Sequence, residues 1–160
     1  MKELIIIGRA EKVQLTELFA IRVPAKIDTG ADASSIWTCK IEKNEDNLNV
    51  IFFGPDSEYY NGKVHVFSPR QYTITRVSSS FGHREIRYKV KLKIRIKGKL
   101  INGTFTLANR ETKLYPILIG RSLLKNKFLV DVSKGSPLIA AEKVRKAILR
   151  EEIINLEHER

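Results

Sequence analysis

The sequence predicts a mainly β domain, a barrel or a sandwich, followed by one terminal helix. Three observations carry this. Short runs rich in Val, Ile, Phe, Tyr and Thr recur between clusters of Gly, Pro, Asn and Asp along the 160 residues, the pattern of many short strands joined by turns. From Ile86 to Lys97 apolar and cationic residues alternate without a break: Ile86, Tyr88, Val90, Leu92, Ile94 and Ile96 against Arg87, Lys89, Lys91, Lys93, Arg95 and Lys97. A period of two gives a strand with one apolar and one cationic face. After Pro137 helix formers take over, and Val144, Ala147, Ile148 and Leu149 mark part of a helical stripe. The expected division is a β domain over 1–137 and a helix over 138–160 that packs on it or extends from it.

Taken in order, "ELIIIG" reads as a first strand ended by Gly8, and "KVQLTEL" as a second. "FAIRVPAKI" leads into Asp28-Thr29-Gly30, and "SSIWTCKI" leaves it. Residues 42–49 read as a polar loop. "VIFFG" is an apolar strand, and "PDSEYYNG" has turn chemistry. "VHVFSPRQYTITRV" is expected to pair with the alternating strand as a long hairpin around "SSSFG". Asn102-Gly103 offers a further hairpin turn that opens "TFTLA". "YPILIG" is a buried strand, "RSLLKN" a short helix and "KFLVDVS" the last strand. Cys39 and Trp37 read as packing residues.

Composition narrows the function. The apolar fraction is 42%, enough for a globular core. Cys39 is the single cysteine, which excludes an intrachain disulfide and suits a reducing, cytoplasmic setting. No leader or membrane-spanning run is expected. The net charge is +11, and eleven Lys or Arg against one acid, Glu85, lie between Lys63 and Lys99. A field this local calls for an anionic partner, whether nucleic acid, an acidic peptide or an anionic surface; the plain alternative is a solvated sheet face. The three histidines, His65, His83 and His158, have no metal-ligand spacing. No phosphate-binding Gly-rich Lys-Ser/Thr loop is present. Neither metal nor cofactor is therefore expected.

On its own Asp28-Thr29-Gly30 is a turn, because Asp and Thr bond locally and Gly tolerates positive φ. Its surroundings point elsewhere. "IDTGAD" at 27–32 follows an apolar strand, and "ILIGRSLL" at 117–124 supplies a buried strand, a glycine, an arginine and a helix start. Together they resemble the retropepsin-like aspartic proteases. "IIIGRAEKVQL", "AKIDTGADASSIW", "RVSSSFGHREIRY" and "TFTLANRETKLYPILIGRSLL" run in an order similar to one branch, over about residues 4–135. That branch is named for ATP-dependent zinc proteases, and some members are encoded beside an ATP-grasp ligase that adds glutamates to a ribosomal protein.

The resemblance implies a closed acid-protease barrel with a short helix after the Gly-Arg motif. It implies a homodimer in which Asp28, Thr29 and Gly30 of each copy form the catalytic centre. It implies support of that loop by Leu118, Ile119, Gly120 and Arg121, with Arg121 paired to Asp32. The expected substrate contacts are Ala31, Asp32, Arg76, Ser79, Arg84, Arg87, Asn109 and Arg110. The expected substrate is an acidic peptide or a glutamate-tailed protein, with a ribosomal protein or an ATP-grasp ligase as partner. The rival reading is a non-catalytic peptide-, RNA- or ribosome-binding β domain.

Overall fold

The computed structural model describes residues 3–78 and 82–160. Eleven strands and two helices are described. In chain order they are β1 (Ile5–Ile7), β2 (Ala10–Leu15), β3 (Arg22–Ile27), β4 (Ser34–Asn44), β5 (Asn47–Phe52), β6 (Val64–Phe67), β7 (Tyr72–Ser78), β8 (Arg84–Ile96), β9 (Lys99–Ala108), β10 (Ile117–Ile119), α1 (Arg121–Leu124), β11 (Phe128–Val130) and α2 (Ile139–His158). The order β10-β3-β2-β8-β9-β4 closes on itself, because β4 pairs back onto β10. The result is a closed six-stranded barrel, and closure is what the family resemblance implied. β5 and β6 continue outward from β4, β7 lies on the far half of β8, and β1 pairs with β11 as a separate parallel ribbon.

The core follows from strand alternation. Val90, Leu92, Ile94 and Ile96 of β8 are buried, while Lys91, Lys93 and Arg95 between them are exposed. Phe52, Phe53 and Phe105, with Ile117 and Ile119, fill the centre. The alternation changes meaning at the other end of β8. There the strand leaves the barrel, and from Ile74↔Tyr88 to Ser78↔Arg84 it pairs only with β7. Ile74 and Ile86 on this projecting hairpin stay more than half exposed.

Several sequence expectations are corrected. Residues 42–49 are two strand ends joined at Glu45 and Asp46, not a loop. The arm lies outside the barrel, so its polar residues reflect solvent rather than irregular backbone. The hairpin turn into β9 is Lys97-Gly98, where both φ angles are positive (48° and 79°), the pairing that matches strand twist. Asn102 and Gly103 lie within β9 instead. Gly103 is needed for packing: a Cβ there would stand 2.6 Å from Leu123 Cδ1. "VHVF" pairs with β5, not β8, since a turn from Ser68 to Gln71 divides the expected arm. Cys39 is exposed, because a register shift between Thr38 and Lys40 breaks the alternation of β4.

His65 of β6 is half-buried beside Phe19 and Phe52. Burial, aided by Lys63, lowers its pKa. Its Nε2 has no hydrogen-bond partner among the described residues. The unfolded chain therefore takes up this proton first as pH falls, and stability is lost below the ordinary histidine range of about 6.5. Denaturation midpoints between pH 7.5 and pH 5, both about one unit or more from that value, should fall in the wild type. They should fall less in His65→Phe.

Candidate active site

β3 delivers Asp28 to the edge of the barrel. The parallel register Ile27↔Ile119 brings β10 alongside, and the Asp28 N–H donates to the Ile119 carbonyl at 2.9 Å. The carboxylate is held by its own loop, where Oδ1 accepts the Gly30 N–H at 3.0 Å. Asp28 is half-buried, and Thr29 and Gly30 are exposed beyond it.

The start of α1 carries the rest of the loop. Arg121 N–H donates to the Ala31 carbonyl at 2.8 Å, and Ser122 N–H to the Asp32 carbonyl at 3.1 Å. Beneath them the buried Gly120 N–H donates to Ser34 Oγ at 3.0 Å. The Arg121 guanidinium donates to the carbonyls of Thr29 (3.2 Å) and Gly30 (2.9 Å). Its other nitrogen stands 3.9 Å from Asp32 Oδ1. Both side chains of that ion pair are solvent-exposed, so it contributes little; the backbone bonds hold the loop.

On the opposite side of Asp28 lies a cleft of about 680 Å³. Ile27, Leu114, Leu118 and Leu149 give it apolar walls, and Arg110 reaches in from the segment after β9. Arg110 is half-buried and its Nε donates to the Tyr115 carbonyl at 3.0 Å. Burial lowers its pKa, the nearby Arg87 cation lowers it further, and the Asp28 carboxylate acts in the opposite sense. Arg110 therefore sits within electrostatic reach of both. α2 covers this cleft through Glu142, which accepts two guanidinium bonds from Arg9 at 2.9 Å and one from Tyr115 Oη at 2.8 Å.

Asp28, Arg110 and Leu118 thus line one cleft, while Arg87 stays on the projecting hairpin, paired with Glu85 at 3.2 Å. Asn109 does not join them: it lines a separate hollow with Trp37 and Cys39, and its side chain accepts the Glu111 N–H. Arg76 and Arg84 are exposed on the projecting hairpin. Ser79 lies outside the described residues. The cationic row of β8 does not form one continuous binding face. Lys91, Lys93 and Arg95 point outward from the barrel wall, and Lys93 pairs with Glu17 at 3.2 Å. Sequence reading missed Ser34 and Ser122, although both lie within the segments "AKIDTGADASSIW" and "ILIGRSLL". It also missed Lys26, Lys113, Arg145 and Lys146, which line the Asp28 cleft.

A family model described as "Retropepsin-like aspartic endopeptidase RimB" matches residues 6–140. The chain belongs to this RimB-like family. Its relatives include a probable alpha-L-glutamate ligase of Desulfotalea psychrophila, 24% identical over 92% of this chain and 32% of that protein. Probable alpha-L-glutamate ligases of Shewanella pealeana and Shewanella halifaxensis are 31% and 32% identical over 81% of this chain and 29% of theirs. The chain spans about a third of the length of these curated relatives. The crystal structure of Lpg0085 from Legionella pneumophila, a protein of unknown function, has the same fold. Its TM-score is 0.63 at 24% identity, over 82% of this chain and 95% of that one.

Among the described residues no three His, Cys, Asp or Glu side chains gather. No described helix is long and apolar enough to cross a membrane.

Proposed function

We propose that two copies of this chain meet at their Asp-Thr-Gly loops and hydrolyse peptide bonds in acidic substrates with a shared pair of Asp28 carboxylates. The observation that carries this reading is the isolation of Asp28. It lies at the mouth of a cleft, and the other carboxylate lining that cleft, Glu142, is already bonded to Arg9 and Tyr115. Two-carboxylate chemistry then needs the second Asp28 of a two-fold dimer. Carboxylates about 3 Å apart cannot both ionise and so share one proton; aspartic proteases are the standing example of that rule. The ionised member takes a proton from water, and the protonated member donates to the scissile carbonyl. The titration belongs to the pair.

The exposed Thr29 carries a hydroxyl suited to bonding across the two loops. The projecting β7–β8 hairpin offers Ile74 and Ile86 as an apolar cover for a bound peptide. Arg110 and Arg87 favour acidic residues, as does the net charge of +11. That relatives are named glutamate ligases supports a glutamate-tailed protein as substrate, with a ligase or a ribosomal protein as working partner in the cytoplasm.

The test is peptide cleavage read by mass, beside the solution mass of the protein. Glutamate-tailed peptides should be cut in preference to neutral ones, less so as salt rises, by a dimer. A strict monomer that cuts nothing would leave a non-catalytic binding domain. RNA binding with a steep salt slope that survives Asp28→Asn would favour that alternative directly.

A further inference from the structure

The rim of the Asp28 cleft is itself strongly cationic. It carries Arg9, Lys26, Arg110, Lys113, Arg145 and Lys146, against only Asp28 and Glu142. Arg9 and Glu142 neutralise each other at 2.9 Å, which leaves five cations facing one acid. These come from three separate places in the chain: the end of β3, the segment between β9 and β10, and α2. The α2 members are held in position, since Glu142 fastens the first turns of the helix and Arg145 Nη1 donates to the Thr112 carbonyl at 3.3 Å. Leu118 and Leu149 add apolar surface below the charged heads. An apolar wall under a cationic rim matches one side chain best: glutamate, with two methylenes and a terminal carboxylate.

We propose that this cleft is the subsite for a glutamate side chain next to the scissile bond, and that Arg145 and Lys146 of α2, with Lys26 and Lys113, set the preference for it. This rests on the reading of Asp28 as a hydrolytic centre. The family match ends at residue 140, just inside α2, so Arg145 and Lys146 lie beyond the matched residues. In a two-fold dimer one copy of the cleft lies beside each Asp28, so acids on both sides of the cut bond should be preferred to acids on one.

The full chain is compared with Arg145→Gln/Lys146→Gln and with a charge-matched control on the outer barrel wall, Lys91→Gln/Arg95→Gln. The probes are a glutamate peptide and a glutamine peptide of equal length. The α2 variant should lose about tenfold or more in kcat/KM for the glutamate peptide, mostly through KM, and little for the glutamine peptide. The control should behave as wild type. Equal losses in both variants, or unchanged discrimination in the α2 variant, would overturn the proposal. Binding of both peptides to Asp28→Asn, with and without the α2 changes, separates the two readings. If no peptide is cut, the hydrolytic reading fails. The subsite stands if glutamate binding still depends on Arg145 and Lys146, and falls if it does not.

Discussion

Asp28→Asn is expected to reduce peptide hydrolysis by between about 100-fold and 10,000-fold while leaving the fold and the dimer intact. The amide keeps an Oδ1 acceptor, so the bond from the Gly30 N–H (3.0 Å in the wild type) can persist. Asp28 is half-buried and belongs to no ion pair among the described residues, so no ion pair is broken, and Arg110 loses only a longer-range attraction. What is lost is the acid that must alternate between its two protonation states. The sharper version mixes chains. After equal amounts of wild type and Asp28→Asn re-equilibrate, random assortment leaves about a quarter of dimers with both acids. A shared dyad predicts activity near that quarter of the pure wild type, whereas independent sites predict about half. A result at half would sink the dyad while leaving Asp28 essential.

The sequence made the barrel legible wherever a strand has one wet and one dry face. The run from Val90 to Ile96 alternates in the fold as it does in the chain. The same rule misled where a strand leaves the barrel. Ile86 has the apolar identity of a core residue but sits 64% exposed on the projecting hairpin, because period fixes a face and not what covers it. Asn102-Gly103 offered a hairpin turn in the sequence, yet Lys97-Gly98 forms the turn. Gly103 answers a tertiary need, the close approach of Leu123.

The site divides in the same way. Asp28, Gly120 and Arg121 were readable because their chemistry is compressed into short motifs. The cations of the cleft were not, since Lys26, Lys113, Arg145 and Lys146 are ordinary surface residues until the fold gathers them. The run "EKVRKAILR" on α2 carried a hint, a basic cluster at helical spacing, but nothing local says which face of a helix meets the barrel.

Gly120→Ala is expected to destabilise the fold strongly at the candidate site itself. The glycine has φ −94° and ψ 177°, an extended conformation open to any residue, so the requirement is one of space. A Cβ built there would lie 2.4 Å from the Ala33 carbonyl oxygen and 2.9 Å from that of Ala31. Both are backbone atoms of the segment that follows Asp28, and neither can swing aside as a flexible side chain would. Relief has to come from moving the Asp-Thr-Gly loop off α1. That breaks the Arg121–Ala31 backbone bond and the Gly120 N–H to Ser34 Oγ bond together. Overpacking alone costs about 1–3 kcal/mol, and a stranded buried N–H about 1–3 kcal/mol more. At about 2–4 °C per kcal/mol for a chain this size, a thermal melt should show a drop on the order of 10 °C. Ser34→Ala removes the hydrogen bond without the clash, so it should show the smaller part of that drop. If the two variants melt alike, the hydrogen bond rather than the steric fit holds the loop in place. If Gly120→Ala melts as wild type, the tight seat of Asp28 on β10 and α1 is wrong.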